Sequence, residues 1–296
     1  MPSSTSNDSH SSEMAVLRSW ADISSLSDEE LYALYEACEH EFPRDPLKAV
    51  SIRRIASDVV MKVGMVPGSE SSTMDLVRKS TTIPVPAVRR TFSIDDYKAI
   101  VMDYIPGETL ADCWGTLGLW RRFRAVWTIR GYIRQLRRVV VPGIPREELF
   151  PGPIGREPSI CFGPMFGEYG GGPFASYDEL IAFFAHKLDV NRRVRKTPTE
   201  DVAFDSSLPL VLTHGDLSPY NVIVDKESRV WLIDFEFSGF YPQWFEYVSM
   251  CNSTWEEQLG GGRWKYWIIG FMAGFYRVQA KFITKIAWAI EMGHFL

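Results

Sequence analysis

Residues 208–247 read LPLVLTHGDLSPYNVIVDKESRVWLIDFEFSGFYPQWFEY, and the rest of the chain is organised around them. Two apolar runs, Asn221–Val224 and Val230–Ile233, flank Asp225-Lys226-Glu227-Ser228, the composition of a β-hairpin about a polar turn. Pairing about that turn sets Asn221 nearly opposite Ile233 and brings Asp234 beside it at the open end. Directly opposite residues hold their Cβ atoms about 4.5–5.5 Å apart. The amide oxygen of Asn221, the carboxylate of Asp234 and that of Asp216 on the preceding loop then make an oxygen-rich site. Such a site suits Mg²⁺, which takes one or two carboxylates and completes its shell with phosphate oxygens and water.

With 296 residues, 46% hydrophobic and 14% aromatic, the chain can bury a sizeable core in one large domain or in two lobes. Lys+Arg number 32 against 37 Asp+Glu, a net charge of −5. A nucleic-acid binder carries a basic surplus, so no nucleic-acid partner is expected. Cys38, Cys113, Cys161 and Cys251 are scattered without a CxxC pair, which argues against a zinc site or a disulfide framework and for a reducing, cytoplasmic setting. Residues 1–13 are Ser-rich and polar, the composition of a disordered tail rather than a signal peptide. The longest apolar run, Tyr266–Tyr276, falls short of the roughly 20 residues a spanning helix needs, so no membrane span is expected.

In chain order, Ser27-Asp28-Glu29-Glu30 fits a capping box ahead of a helix with Leu31, Leu34, Tyr35 and Cys38 on one face. Ala49–Ile55 and Val59–Val63, parted by Ala56-Ser57-Asp58, spell a first hairpin. Lys62 lies in its second strand among apolar residues. A lone lysine is usually solvated, but beside a phosphate site a strand lysine pairs the α- and β-phosphates. Pro67-Gly68-Ser69 breaks the chain, and Ser69 is placed to cap a helix over Glu70–Lys79 with Glu70, Met74 and Val77 on one face. Ala99–Met102 is an apolar strand running into Asp103-Tyr104-Ile105-Pro106-Gly107. That turn divides an N-terminal lobe, residues 14–104, from a C-terminal lobe, residues 105–296. Between Leu119 and Val139, Leu119, Phe123, Val126, Trp127, Ile133 and Leu136 predict a buried helix whose arginines form a solvated face. The Gly/Pro-rich stretch 142–173 is a loop of a length that usually carries function. It ends at a second capping box, Ser176–Glu179, whose helix carries His186 on its surface.

The segment from His214 to Asn221 matches H-x-D-x-x-x-x-N, and Asp234 follows in Ile-Asp-Phe-Glu. With VVMKVG, TTIPVPAV, IVMDYIPGETL, THGDLSPYNVIVD and LIDFEFSGFYPQWFEY in that order, the chain from about Ala49 to Tyr247 resembles the aminoglycoside phosphotransferase and choline kinase group. The resemblance implies an α+β, two-lobed protein-kinase-like fold, with a small β-rich N-terminal lobe and a larger, mainly helical C-terminal lobe. It also implies a transfer of phosphate from ATP, with Mg²⁺, to a hydroxyl of a small molecule, an amine-bearing one among the candidates. Phosphoryl transfer needs positioning and charge neutralisation more than covalent chemistry. By resemblance, Asp216 is the base, His214 braces its loop, Asn221 and Asp234 hold the metal, and Lys62 neutralises phosphates. The adenine is expected against backbone groups of Asp103 and Ile105. Counting back from Ile83-Pro84-Val85-Pro86 puts Ser72 where the family carries the glutamate that pairs with the lysine, leaving Glu70 as the substitute.

About seven residues separate Glu236 from Trp244, too few for the activation loop and Ala-Pro-Glu motif of a protein kinase. The candidate acceptor contacts are Glu236, Trp244, Glu246, Tyr247 and Trp255, with the loop 163–174; the alternative reading puts Trp244 and Tyr247 in the core. Carboxylates and tryptophans there favour an amine-bearing alcohol. The rival reading is a pseudokinase that binds nucleotide or a partner with little turnover. Ser72 motivates it, as do the aromatic residues after Trp255, which belong either to core helices or to a surface for a protein partner. A nucleophilic hydrolase finds no G-x-S-x-G.

Overall fold

The computed structural model describes residues 18–39, 41–42, 50–64, 69–196, 202–260 and 262–292. The expected tail at 1–13, Ala49 of the first hairpin and the Pro67-Gly68 break lie outside them.

The N-terminal part begins with helices α1 (Trp20–Ile23) and α2 (Asp28–Ala37). Ser27 caps α2: its hydroxyl accepts the Glu30 N–H at 3.2 Å, and Glu30 accepts the Ser27 N–H at 2.7 Å. A cap of this kind contributes about 1 kcal/mol. Strands β1 (Val50–Arg53) and β2 (Val59–Gly64), helix α3 (Ser69–Ser80), and strands β3 (Val88–Ile94) and β4 (Tyr97–Asp103) follow. The strands form one antiparallel sheet in the order β1-β2-β4-β3. β2 lies inside it, buried throughout, and the two-residue period of a strand sorts its side chains. Val59, Met61 and Val63 pack with Ile23, Leu31 and Tyr35 under α1 and α2. Val60 faces Met74 and Val77 of α3 on the other side. Lys62 shares that second face and is thereby aimed at α3. Ser69 opens α3 as its first residue rather than capping it, and its hydroxyl is buried without a partner.

The chain then passes through β5 (Gly107–Thr109), α4 (Leu110–Cys113) and α5 (Leu119–Leu136). The hairpin β6 (Cys161–Gly163) and β7 (Gly167–Gly171) occupies the Gly/Pro-rich stretch, and α6 (Tyr177–Arg195) starts at the expected Ser176 cap. Next come β8 (Leu210–Thr213), β9 (Val222–Asp225), β10 (Val230–Leu232) and β11 (Gly239–Pro242). Helices α7 (Phe245–Asn252), α8 (Trp255–Leu259), α9 (Arg263–Ala273) and α10 (Arg277–Glu291) complete the described chain. A sheet β10-β9-β5 and a pair β11-β8 sit among these helices. The result is a β-rich N-terminal lobe and a larger, mainly helical C-terminal lobe. The Leu232 N–H donates to the Pro84 carbonyl at 3.0 Å, tying the second hairpin to the segment between α3 and β3.

One sequence expectation fails in part in this half. On α5 the buried stripe is Ala125, Val126, Ile129, Ile133 and Leu136, whereas Leu119, Phe123 and Trp127 point outward. The helix has two apolar stripes, and only one meets the core. Of the two placements left open for the aromatic residues after Trp255, Trp264, Trp267 and Phe275 take the surface, while Phe282 of α10 takes the core.

Candidate active site

The β9–β10 hairpin has the register its sequence implies: Leu232 pairs with Val222, and the Ile233 N–H donates to the Asn221 carbonyl at 3.1 Å. Asp234 therefore leaves the strand beside Asn221, with a backbone φ of 61°. A left-handed conformation at a non-glycine residue is costly and concentrates at functional sites. It turns the carboxylate toward β2, where Asp234 Oδ1 accepts from Lys62 Nζ at 2.7 Å.

Lys62 is 2% exposed, and its ammonium meets three carboxylates. Its Nζ lies 3.0 and 2.9 Å from the two Glu70 oxygens and 3.3 Å from Glu236 Oε2. Glu70 is therefore the lysine's partner. The expectation built on Ser72 is corrected, because two residues of helix turn Ser72 to the exposed side of α3 while Glu70 is buried facing β2. Burial alone would lower the Lys62 ammonium, but Asp234, Glu70 and Glu236 more than reverse this and hold it protonated. Burial pushes the Glu70 carboxyl up, Lys62 draws it back, and Asp234 pushes it up again.

The loop between β8 and β9 carries the other half. Asn221 Nδ2 donates to the Asp216 carbonyl at 2.7 Å and to Asp216 Oδ2 at 3.1 Å, which fixes the Asp216 carboxylate and turns the amide oxygen away from it. His214 is fully buried. Its Nε2 is 2.9 Å from the Ile233 carbonyl, and its Nδ1 accepts the Asp216 N–H at 3.4 Å, an arrangement that one neutral tautomer, protonated at Nε2, satisfies at both ends. Its ring centroid lies 4.5 Å from that of Phe235. His214 is thus a brace for the loop. Gly215 holds φ at 83°, and a Cβ there would collide with the Phe237 carbonyl, so the turn requires glycine.

Sequence reasoning missed how α7 and α8 hold this loop. Glu246 Oε2 accepts the His214 N–H at 2.7 Å, Ser249 Oγ donates to the Gly215 carbonyl at 2.6 Å, and Trp255 Nε1 donates to the Leu217 carbonyl at 2.8 Å. Glu246 and Ser249 stand three apart on one helix, a spacing that could have shown a common target. These bonds overturn part of the expected acceptor set. Trp244, Glu246, Tyr247 and Trp255 are all buried, and Trp244 Nε1 is engaged with the Asp205 carbonyl at 2.9 Å. Their size and polar tips serve packing and loop bracing. Glu236 points to Lys62 rather than to an opening. Burial pushes the Glu246 carboxyl up, against the pull of His214. At the end of β4 the Asp103 N–H donates to Ala87, the Tyr104 N–H donates to Asp58, and the Asp103 carboxylate pairs with Arg89 at 2.6 Å. Of the expected Asp103 and Ile105 backbone groups, the Asp103 N–H is thus already used within the fold.

The donor chemistry fits Mg²⁺. One ammonium stands against three carboxylates at Lys62, a surplus of acidic groups that a divalent cation would balance. The donors are hard oxygens, few enough to leave places for phosphate. Among the described residues, no group of three or more His, Cys, Asp and Glu side chains makes a closed metal cage. An amide with one or two carboxylates would leave places in the shell of such an ion for other oxygens.

Residues 175–276 match the sequence model of the phosphotransferase enzyme family. Comparison by sequence with curated proteins returns no match. Among solved structures, the ADP-bound aminoglycoside phosphotransferase APH(2″)-Ib superposes with a TM-score of 0.54 at 12% identity, over 90% of this chain and 92% of that one. The gentamicin complex of APH(2″)-IIa gives 0.52 at 12% identity, over 90% and 88%. Spectinomycin phosphotransferase APH(9)-Ia, with ADP and spectinomycin, gives 0.50 at 14% identity, over 90% and 87%. The chain shares the protein-kinase-like fold of the aminoglycoside phosphotransferases, and its residues 175–276 carry the sequence pattern of the phosphotransferase enzyme family.

Proposed function

We propose that the protein is an ATP- and Mg²⁺-dependent phosphotransferase acting on a hydroxyl of a small molecule. The observation that carries this reading is the buried Lys62–Glu70 pair meeting Asp234 across the two lobes, residues 14–104 and 105–296. A buried ammonium among three carboxylates is costly as a structural device alone, since desolvation is repaid only with complete pairing. In a phosphate site the same ammonium neutralises the α- and β-phosphates, which gives its burial a chemical reason.

In this scheme the Ile105 N–H, rather than that of Asp103, is offered to the adenine. Asn221 and Asp234 would hold Mg²⁺, which supplies charge neutralisation on the phosphate oxygens. Asp216, oriented by Asn221 Nδ2, accepts the acceptor's hydroxyl proton or aligns that hydroxyl, a role typically worth about 10²–10⁴-fold. His214 and Glu246 hold the loop, and Glu70 holds Lys62. The β6–β7 hairpin packs Gly163 against Phe237, beside Gly215, and forms one wall of the acceptor side. The solved relatives whose names include gentamicin and spectinomycin make amine-bearing alcohols the first acceptors to try. The pseudokinase reading has two motives, Ser72 and the aromatic residues after Trp255, and the Lys62–Glu70 pair speaks against the first.

The test is ADP release from Mg·ATP across a panel of amino-alcohols, aminoglycosides and sugars, for the wild type, Asp216→Asn and Asp234→Asn. Acceptor-dependent release that both substitutions abolish supports the reading. Release that survives both rejects the site, and no release with any acceptor, alongside stabilisation by ATP, rejects the enzyme.

A further inference from the structure

Away from the site, α5 and α9 carry aromatic residues at one spacing: Trp120, Phe123 and Trp127 on α5, and Trp264, Trp267 and Phe271 on α9. Positions i, i+3 and i+7 lie along one side of a helix, so each helix presents a single aromatic stripe. Trp120 and Trp264 are each 74% exposed, and Trp127 and Trp267 each 56%. Ring centroids are 5.7 Å apart for Trp120–Phe123, 5.8 Å for Phe123–Trp127 and 5.7 Å for Trp127–Phe271. The stripes therefore join into one surface. Gly131 continues the stripe on α5, and a side chain built there meets nothing within 4 Å. A contiguous exposed aromatic patch of this kind marks an interaction surface.

Charge says what would cover it. In a chain of net charge −5, neither helix contains an Asp or a Glu, whereas α5 carries Arg121, Arg122, Arg124, Arg130 and Arg134. Arg121 and Arg124 each follow a stripe residue by one position and line a cavity of about 230 Å³ together with Lys226, Ser228 and Glu108. The other carboxylate on that wall, Asp225, is already engaged by Arg229 at 2.7 Å and by Trp231 at 2.9 Å. Three cations thus face Glu108 in a pocket roomy enough for a phosphate ester, at the edge of the aromatic surface.

We propose that this face docks on an anionic phospholipid bilayer. The indole rings enter the interfacial layer, where tryptophan is favoured. The arginines reach phosphates while their stems lie along the apolar region. The cavity receives one anionic headgroup. No described helix is long and apolar enough to cross a membrane, so the attachment is to the surface. A second copy fits poorly, because a two-fold contact sets this patch against itself and arginine against arginine.

The experiment is flotation of the full chain with vesicles of phosphatidylcholine alone and of phosphatidylcholine with about 30% phosphatidylserine, where binding to the anionic vesicles should be about tenfold stronger. That binding should weaken at high salt. The triple variant Trp120→Ser/Phe123→Ser/Trp127→Ser and the pair Arg121→Glu/Arg124→Glu should each bring it to the neutral-vesicle level, with thermal unfolding as in the wild type. Equal binding to both vesicle types, or variants that bind like the wild type, would overturn the proposal. So would a wild-type dimer that the triple variant turns into a monomer, or binding of a single-stranded oligonucleotide, where vesicles are ignored.

Discussion

Lys62 Nζ and Asp234 Oδ1 stand 2.7 Å apart, although 172 positions of chain separate them. The contact joins β2 to the second residue past β10, and Glu70 and Glu236 share the same ammonium. Removing the lysine leaves three carboxylates facing one another with no counter-charge. Breaking a buried pair in this way costs about 3–5 kcal/mol. Lys62→Met should therefore lower the unfolding free energy by that order, as read from denaturant titration. Adding Glu70→Gln should recover part of the loss, and strict additivity of the two would contradict the pairing.

Ser72 supplies the matching control. It is exposed on α3, so Ser72→Ala should change stability by no more than about 0.5 kcal/mol and leave nucleotide binding unaltered. Glu70→Gln, two positions away, should weaken Mg·ATP binding in a calorimetric titration. The reverse ranking would return the lysine's partner to Ser72's neighbourhood.

Gly215 and Glu246 hold the loop of Asp216 from two sides. Gly215→Ala forces a side chain into the Phe237 carbonyl at a left-handed φ, for a cost on the order of 1–3 kcal/mol. Glu246→Ala strands the buried His214 N–H, for about 1–3 kcal/mol. Both variants should lower the melting temperature, and the surviving folded protein should lose kcat more than it raises KM. A variant with the wild-type melting temperature would contradict the bracing role.

The cysteines give a check that needs no substrate. Burial raises the thiols of Cys113, Cys161 and Cys251, Cys161 to about 12 and Cys251 to about 11. Near pH 8 a thiol at about 11 is only about 0.1% thiolate, and the thiolate is the reactive form. Cys38 is only half-buried. In the native protein one thiol should react promptly with a disulfide reagent, and all four should react in denaturant.

Legible in the sequence is what local periodicity encodes. The Asn221–Ile233 pairing follows from counting outward from a four-residue turn, and the Ser27 and Ser176 caps follow from residue type and spacing. Counting back from Pro84 lands on Ser72 and leaves Glu70 as the substitute because the count crosses the end of a helix, where an error of two residues turns a side chain to the other face. The sequence leaves Trp244 open between core and acceptor site and puts Trp255 at the site, because a tryptophan beside the Asp216 loop looks the same whether its indole meets a ligand or a backbone carbonyl. The outward stripe of α5 looks like core because periodicity shows that a face is apolar, not what covers it.

The central claim is that Asp216 meets a hydroxyl acceptor beside a nucleotide held by Lys62 and Asp234. Single-turnover transfer of a labelled γ-phosphate from Mg·ATP to an acceptor tests it most directly. In wild type the label should move to the acceptor. In Asp216→Asn transfer should slow by about 10²–10⁴-fold while Mg·ATP still binds, and in Asp234→Asn binding itself should fail. Transfer at the wild-type rate in Asp216→Asn, or undiminished nucleotide binding in Asp234→Asn, would contradict the claim.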